Sequence, residues 1–387
     1  MDAAILSAQE QRAAYSARLR AAHLKEGYSY DDDGKFQTRP YWPLEPVNRV
    51  KPHLWKWSEV RALVQGAGEL VGLGRGSVSY DRRVLALTNP GLDGEYSLSG
   101  TLFGDIQLIQ PGEGAPCHRH TPCAARFIFE GQGWTTVEGE RTSLAPGDVV
   151  FTGQFTWHDH GNAGDTDLMF LDVLDIPLLQ YLAASVWEFD YERVTGSAEN
   201  RHHPAQTMNH PEERYSAPGL EARFNTKWRR NPAHFGVHKW EKVRAALMAN
   251  AGEAGSPYDG ILMEFTNIHN GGPVGPTMSI YSQMLRPGEK TGAHRHTSST
   301  IYVGIEGRGT TEIDGKTYEW GPRDIFVVPS WAWHSHRNLG DAPAFLHSIS
   351  DASLIGKLGL WREQRRLPDG TVEDSDWLSA PYGMGPT

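Results

Sequence analysis

The amino-acid sequence predicts an all-β fold: two jelly-roll β-barrels made by one internal duplication, with short flanking helices. Three observations carry this. The segment "GDIQLIQPGEGAPCHRHT" at 104–121 recurs as "IYSQMLRPGEKTGAHRHT" at 280–297. The offset, 294 − 118 = 176, holds without a gap through Gly139 and Gly315, Asp148 and Asp324, and on to "WHDHGN" and "WHSHRN". Within each half, runs of about four to eight residues alternate apolar and polar side chains, the period of strands buried on one face. Turn signals such as "PGEG", "VEGER", "APGD", "IDGK" and "GPRD" separate these runs, and many short strands between Gly and Pro turns make a sandwich or barrel.

The elements follow in order. Residues 1–50 form an N-terminal arm whose opening "MDAAILSAQEQRAAYSARLRAAHLKEG" reads as an amphipathic helix. Residues 51–190 form the first barrel, opened by a short helix around "WKWSEVRALV". Residues 191–232 are a linker rich in Pro, Asn and His, where His202, His203 and His210 lack any regular ligand spacing. Residues 233–355 form the second barrel, opened by the matching helix "VHKWEKVRAAL", and 356–387 hold a last short helix and a tail. The glycines of "GLGRGSV" at 72–78 lack a βαβ context and read as a turn.

Composition narrows the function. A net charge of −10 excludes nucleic acid and anionic membranes as partners. The first residues carry charges every few positions, so they form neither a signal peptide nor a membrane span. Two cysteines, Cys117 and Cys123, show no pattern of paired extracellular cysteines. A reducing, cytoplasmic setting is expected.

The chemistry lies in the histidines. His118 and His120 are one residue apart, so both rings share a strand face, and His158 follows at a distance. The second half repeats the set as His294, His296 and His334. Together with Gly112, Gly131, Gly147 and Asn162, the first set resembles the two motifs of cupin barrels. Ala124 stands where those motifs place a carboxylate ligand, Gly153 and Phe155 replace the second motif's Pro and Gly, and Arg323 replaces its first Gly in the second half. Three neutral imidazoles suit Fe, Zn, Ni or Cu alike. They leave the dication's charge uncompensated, which favours a substrate bringing two negative charges, such as a phenolate with an adjacent carboxylate. Cys117 flanks His118 on the opposite parity and reads as packing.

Arg126 shares the parity of Ala124 and points into the barrel. An inward guanidinium needs an anion, and it grips a carboxylate through two parallel hydrogen bonds. The alternative is pairing with an internal carboxylate such as Asp172 or Glu130. In the second half Tyr302 matches Arg126 and Ser348 matches Asp172. The first barrel is therefore expected to carry the chemistry.

At "PHLWKW", "RRVLALTNPGL", "HRHTPCAARFIFEGQG" and "WHDHGN", over about residues 45–355, the chain resembles the bicupin ring-cleaving dioxygenases. These are gentisate 1,2-dioxygenase and its salicylate and 1-hydroxy-2-naphthoate relatives. The resemblance implies an Fe(II) enzyme that uses O2 to split an aromatic ring between its carboxyl-bearing and hydroxyl-bearing carbons. Gentisate, opened to maleylpyruvate, is the first expectation; salicylate and 1-hydroxy-2-naphthoate are the alternatives. It implies iron on His118, His120 and His158, and a possible second metal on His294, His296 and His334. Arg126 would hold the substrate carboxylate, and His160 would bond to the substrate or move its proton, though a structural histidine is equally compatible with its parity. Asp172, Gln107, Phe103, Asp105 and one of Arg82 or Arg83 match family positions around the pocket; adjacent arginines cannot both point inward from a strand. Asp105 stands where relatives carry a small residue, and it suits an anionic substrate only where it meets a hydroxyl or amino group. The resemblance also implies a homotetramer. A decarboxylase or isomerase of cupin type would retain the acid that Ala124 replaces, and non-catalytic bicupins tend to lose the histidines kept here.

Overall fold

The computed structural model describes residues 7–24, 43, 45–71, 83–189, 191, 207–208, 236–267 and 270–374. Arg82, the turn at 72–78, the histidines at 202, 203 and 210, and the tail from 375 lie outside these. Residues up to Val47 form a unit of their own. In it, helix α1 (Ala8–Ala21) starts at a capping box: the Ser7 hydroxyl accepts from the Glu10 amide, and the Glu10 carboxylate accepts from the Ser7 amide.

The remaining unit holds both barrels. In chain order it contains β1 (His53–Trp55), α2 (Trp57–Leu70), β2 (Val84–Ala86), β3 (Phe103–Ile109), β4 (Gly114–His120), β5 (Ala124–Glu130), β6 (Gly133–Val137), β7 (Glu140–Leu144), β8 (Val149–Thr152), β9 (His158–Gly161), β10 (Leu168–Leu174), α3 (Ile176–Tyr181), β11 (Trp187–Glu188), β12 (Thr207–Met208) and β13 (Gly236–His238). The second half continues with α4 (Trp240–Ala249), β14 (Ile261–Glu264), β15 (Ser279–Leu285), β16 (His294–His296), β17 (Thr300–Glu306), β18 (Gly309–Ile313), β19 (Lys316–Trp320), β20 (Ile325–Val328), β21 (His334–Asn338), β22 (Ala344–Ser350), α5 (Ala352–Lys357), β23 (Glu363–Arg366) and β24 (Val372–Asp374).

Each barrel is a jelly roll of two six-stranded sheets. The first has sheets in the order β13-β8-β5-β10-β3-β2 and β11-β4-β9-β6-β7-β12; the second has β1-β20-β17-β22-β15-β14 and β19-β18-β21-β16-β23-β24. Two edge strands are exchanged. β1 joins the second barrel by pairing with β20, and β13 joins the first by pairing with β8. The helices behind them are exchanged too. The amide of Trp57 at the start of α2 donates to Asp324 Oδ1 at 2.8 Å, and the amide of Trp240 at the start of α4 donates to Asp148 Oδ1 at 3.0 Å. Each helix also grips its own half: Trp57 and Arg61 bond to Glu130, and Trp240 and Arg244 bond to Glu306. The division into 51–190 and 233–355 thus gives β1 and β13 each to the barrel opposite the one in which it pairs, and the segment after 356 supplies β23 to the second barrel.

Strand parity divides the core. On β5, Ala125, Phe127 and Phe129 face outward and join Ile301, Val303, Ile325 and Val327 of the second half in one apolar cluster between the barrels. The alternate residues Ala124, Arg126 and Ile128 face inward and are equally buried. With both faces covered, β5 reads in sequence from Ala124 to Phe129 as an apolar run interrupted by Arg126. Tight turns complete the frame. Gly131 has φ +77°, and a Cβ there would meet the Asp167 carbonyl at 2.2 Å. At Phe155 and Trp331, where the cupin motif expects Gly, the backbone keeps φ of 55° and 66°.

Candidate metal centre and active site

The ligand histidines are brought together by strand pairing. His118 on β4 lies directly opposite His158 on β9, and His120 follows two residues along the same face. All three are buried, and their ligand nitrogens lie within 4.8 Å of one another. Each Nδ1–H donates to a backbone carbonyl: His118 to Pro116 at 2.9 Å, His120 to Pro122 at 2.7 Å and His158 to Thr156 at 2.9 Å. A carbonyl only accepts, so each ring is the Nδ1–H tautomer, with its Nε2 lone pair as the ligand atom. The buried Nε2 of His158 has no hydrogen-bond partner among the described residues. Burial, with the neighbouring imidazoles and Arg126 adding to it, holds His158 well below the ordinary histidine value, so it is neutral and ready to ligate. This donor set fits a divalent transition metal with positions left open.

Beside the triad lies a cavity of about 110 Å³ lined by Val84, Phe103, Asp105, Gln107, His118, His120, Arg126, His160, Asp172, Leu174, Ile176 and Trp187. Three of its charged residues form a lateral row. Arg126 on β5 is opposite Asp172 on β10, which is opposite Asp105 on β3. Arg126 is 1% exposed. Its Nε is 3.3 Å from Asp172 Oδ2, and its Nη1 donates to Thr152 Oγ1 at 2.7 Å. Thr152 is itself paired with Ala124, the position vacated by the motif's acid. Burial pulls the guanidinium down from its ordinary value, and the charges of Asp172 and Asp105 oppose that pull. Pairing with Asp172 is therefore real, whereas Glu130 is engaged by Trp57 and Arg61. A guanidinium carries five N–H groups, so these two contacts do not exhaust it.

His160 lies two residues beyond His158 on the same face. Its Nδ1 is 2.9 Å from Thr135 Oγ1, whose hydroxyl donates to the Asp159 carbonyl at 3.1 Å. The hydroxyl therefore accepts from Nδ1–H, which leaves Nε2 as the accepting edge of the ring. Gln107 is buried, and its Nε2 has no hydrogen-bond acceptor among the described residues.

Of the sequence candidates, Arg83 is the one that the structure takes out of the pocket. Its guanidinium donates to Glu113 at 2.8 and 3.0 Å and to the Val71 carbonyl at 2.7 Å. Val84, on the opposite parity, lines the cavity instead. Trp187 went unnoticed in the sequence. It belongs to a two-residue strand paired with His120, and its ring sits 4.3 Å from that imidazole. Its neighbour Phe189 stacks on His118 at 6.1 Å. The alternation of Trp187 and Phe189 was the available signal.

The second barrel repeats the triad. His294, His296 and His334 are buried with ligand nitrogens within 4.8 Å of one another, and His294 lies opposite His334. The charged row is gone: Tyr302 and Ser348 pair where Arg126 and Asp172 pair in the first barrel. Cys117 and Cys123 are both buried, and neither forms a disulfide among the described residues.

Comparison with known proteins agrees with this architecture. The cupin domain family matches twice, at residues 105–174 and 281–350, the same 281 − 105 = 176 offset. A 5-aminosalicylate 1,2-dioxygenase of Comamonas sp. is 39% identical over 88% of this chain and 90% of its own length. A gentisate 1,2-dioxygenase of Aquipseudomonas alcaligenes is 36% identical over 83% of this chain and 89% of its own length. Among solved structures, a salicylate 1,2-dioxygenase from Pseudaminobacter salicylatoxidans superposes with a TM-score of 0.79 at 28% identity, covering 93% of this chain and 99% of that one. With two metal-ready histidine triads on a duplicated jelly roll, the chain belongs to the cupin ring-cleaving dioxygenases.

Proposed function

We propose that the first barrel holds Fe(II) on His118, His120 and His158 and opens the ring of a salicylate bearing a hydrogen-bond donor at its 5-position, gentisate first. The observation that carries this reading is the buried Arg126–Asp172–Asp105 row set beside three nitrogen ligands without a carboxylate among them. A dication on neutral imidazoles is short of two negative charges, and a carboxylate with a neighbouring phenolate supplies both. Fe(II), when bound, would supply Lewis acidity and the one-electron chemistry that lets O2 react with an aromatic ring.

The residues do the rest. Arg126 takes the substrate carboxylate on the N–H groups not engaged by Asp172 and Thr152, and so fixes the ring's orientation. His160 Nε2 accepts the proton of the hydroxyl at carbon 2. Gln107 Nε2 offers a donor to a substrate oxygen. Val84, Phe103, Leu174 and Trp187 hold the ring and exclude water. With Arg83 committed to Glu113, Arg82, outside the described residues, is the other arginine to test for substrate contact. Asp105 lies two strand spacings from Arg126, roughly 10 Å across the sheet, where it accepts from a 5-substituent. This favours 5-aminosalicylate as a second substrate beside gentisate. The cavity, about 110 Å³, is smaller than the roughly 150 Å³ cavity that holds benzene, which disfavours the two fused rings of 1-hydroxy-2-naphthoate.

The test is O2 uptake by Fe(II)-loaded protein with gentisate, 5-aminosalicylate, salicylate and 1-hydroxy-2-naphthoate. Rapid uptake with the first two and slow uptake with the last is expected; no uptake with any of the four defeats the assignment. A homotetramer in a reducing cytoplasm completes the proposal, two cysteines without a disulfide between them supporting the compartment.

A further inference from the structure

We propose that the second barrel carries its own divalent transition-metal site, in which Asp259 joins His294, His296 and His334 as a fourth protein ligand. Asp259 lies outside both cupin motifs, in the turn before β14. Its Oδ1 is 3.6 Å from the Nε2 of His294. Donors in adjacent positions around one ion, with bonds of about 2.1 Å, stand roughly 3 Å apart. The ligand nitrogens of the three histidines alone lie within 4.8 Å of one another, so Asp259 completes the shell by a side-chain rotation toward them.

The surroundings are arranged for this. The other carboxylate oxygen of Asp259 accepts from Ser256 Oγ at 2.8 Å, and its main-chain carbonyl accepts from Gln283 Nε2 at 2.6 Å. Oδ1 is thereby left turned toward the triad. The buried Nε2 atoms of His294 and His334 have no hydrogen-bond partner among the described residues. All three Nδ1 edges are anchored: His294 to Glu363 Oε1 at 3.3 Å, His296 to the Ser298 carbonyl at 3.0 Å and His334 to the Ala332 carbonyl at 3.0 Å. Glu363 gives His294 the carboxylate–histidine–metal arrangement that fixes a ligating ring and raises its basicity. It comes from β23, an element that neither motif contains.

The site differs from the first in charge. Three imidazoles and one carboxylate leave a bound dication at +1, against +2 on the first triad. The adjoining cavity is larger, about 550 Å³, and presents Tyr281, Tyr302 and Ser348 where the first barrel has Asp105, Arg126 and Asp172. The second site thus binds a metal without the dianion clamp.

The test is Co(II) stoichiometry on the full chain, stripped by chelator and reloaded, read by elemental analysis and by the visible spectrum of the bound ion. Wild type is expected to bind two ions per chain, and His158→Ala or His334→Asn one each, with circular dichroism confirming the fold. In the His158→Ala chain, Asp259→Asn is expected to raise the Co(II) Kd at least tenfold and to alter the spectrum, while Asp259→Glu restores part of the affinity. One ion per wild-type chain, or an Asp259→Asn chain with unchanged Kd and spectrum, overturns the proposal. No substrate enters this measurement, so its failure is distinct from failure of the ring-opening reading.

Discussion

Replacing Arg126 by Gln separates what the guanidinium does for the fold from what it does for the substrate. In the folded chain it neutralises Asp172, 7% exposed, at 3.3 Å and lies in the same row as Asp105. Removing one partner of a buried ion pair costs about 3–5 kcal/mol because the other charge is left uncompensated, so the variant should melt at a lower temperature. A charge-assisted contact to the substrate carboxylate is worth roughly 1.5–3 kcal/mol, which converts to a fall of about tenfold to a hundredfold in kcat/KM. The carboxylate is held alike before and during ring opening, so most of the loss belongs in KM. Iron content should not change, since Arg126 is no ligand. Asp172→Asn is the companion variant: it should lower stability similarly but not raise KM, because it frees N–H groups of Arg126. O2-uptake kinetics, thermal melts and metal analysis on both variants decide the matter. A wild-type KM in Arg126→Gln, or an equal rise in KM in Asp172→Asn, would refute the reasoning.

Two further outcomes follow from the structure. Asp105→Ala should cut the preference for gentisate and 5-aminosalicylate over salicylate by roughly tenfold or more, one charged hydrogen bond being removed; an unchanged ratio of kcat/KM values would place the 5-substituent elsewhere. His347, fully buried with its Nε2–H on the Gly147 carbonyl at 3.0 Å, is pushed down by burial to about 4 from the ordinary 6.5. Between those values the unfolded chain binds the proton more readily, so this contribution is complete above pH 6.5 and is lost as pH falls toward 4. Its size is about 3 kcal/mol. His347→Gln should flatten the pH dependence of Tm over that window, and a slope equal to wild type would show that His347 is not its source.

Much of the first site was legible because its residues obey strand parity around fixed histidines. Once His118 and His120 face inward, Arg126, Asp172, Asp105, Phe103 and Gln107 follow from alternation along three regular strands. The same rule could not choose between Arg82 and Arg83, since it fixes opposition and not direction. The choice needed Glu113, 30 residues downstream of Arg83. Trp187, β1 and β13 were hidden for another reason: segments of two or three residues are too short to show a period. Their partners are chosen across the fold, β1 by a strand of the other half. Asp259 and Glu363 were likewise silent, because neither position belongs to a motif and each reaches the histidines only through tertiary packing.

The exchange of edge strands and helix caps limits how the two copies can diverge. Either copy, cut loose, would bare the flank of β8 or β20 as an open sheet edge and expose the apolar layer around Phe127 and Ile301. Asp148 and Asp324 would each lose the foreign helix start that they hold. The copies have accordingly drifted apart in their interiors, Arg126 against Tyr302 and Asp105 against Tyr281. The paired acids of the seam, Asp148 with Asp324 and Glu130 with Glu306, are still identical. A barrel held in this way can surrender its chemistry and still be indispensable, as the outer wall of its twin.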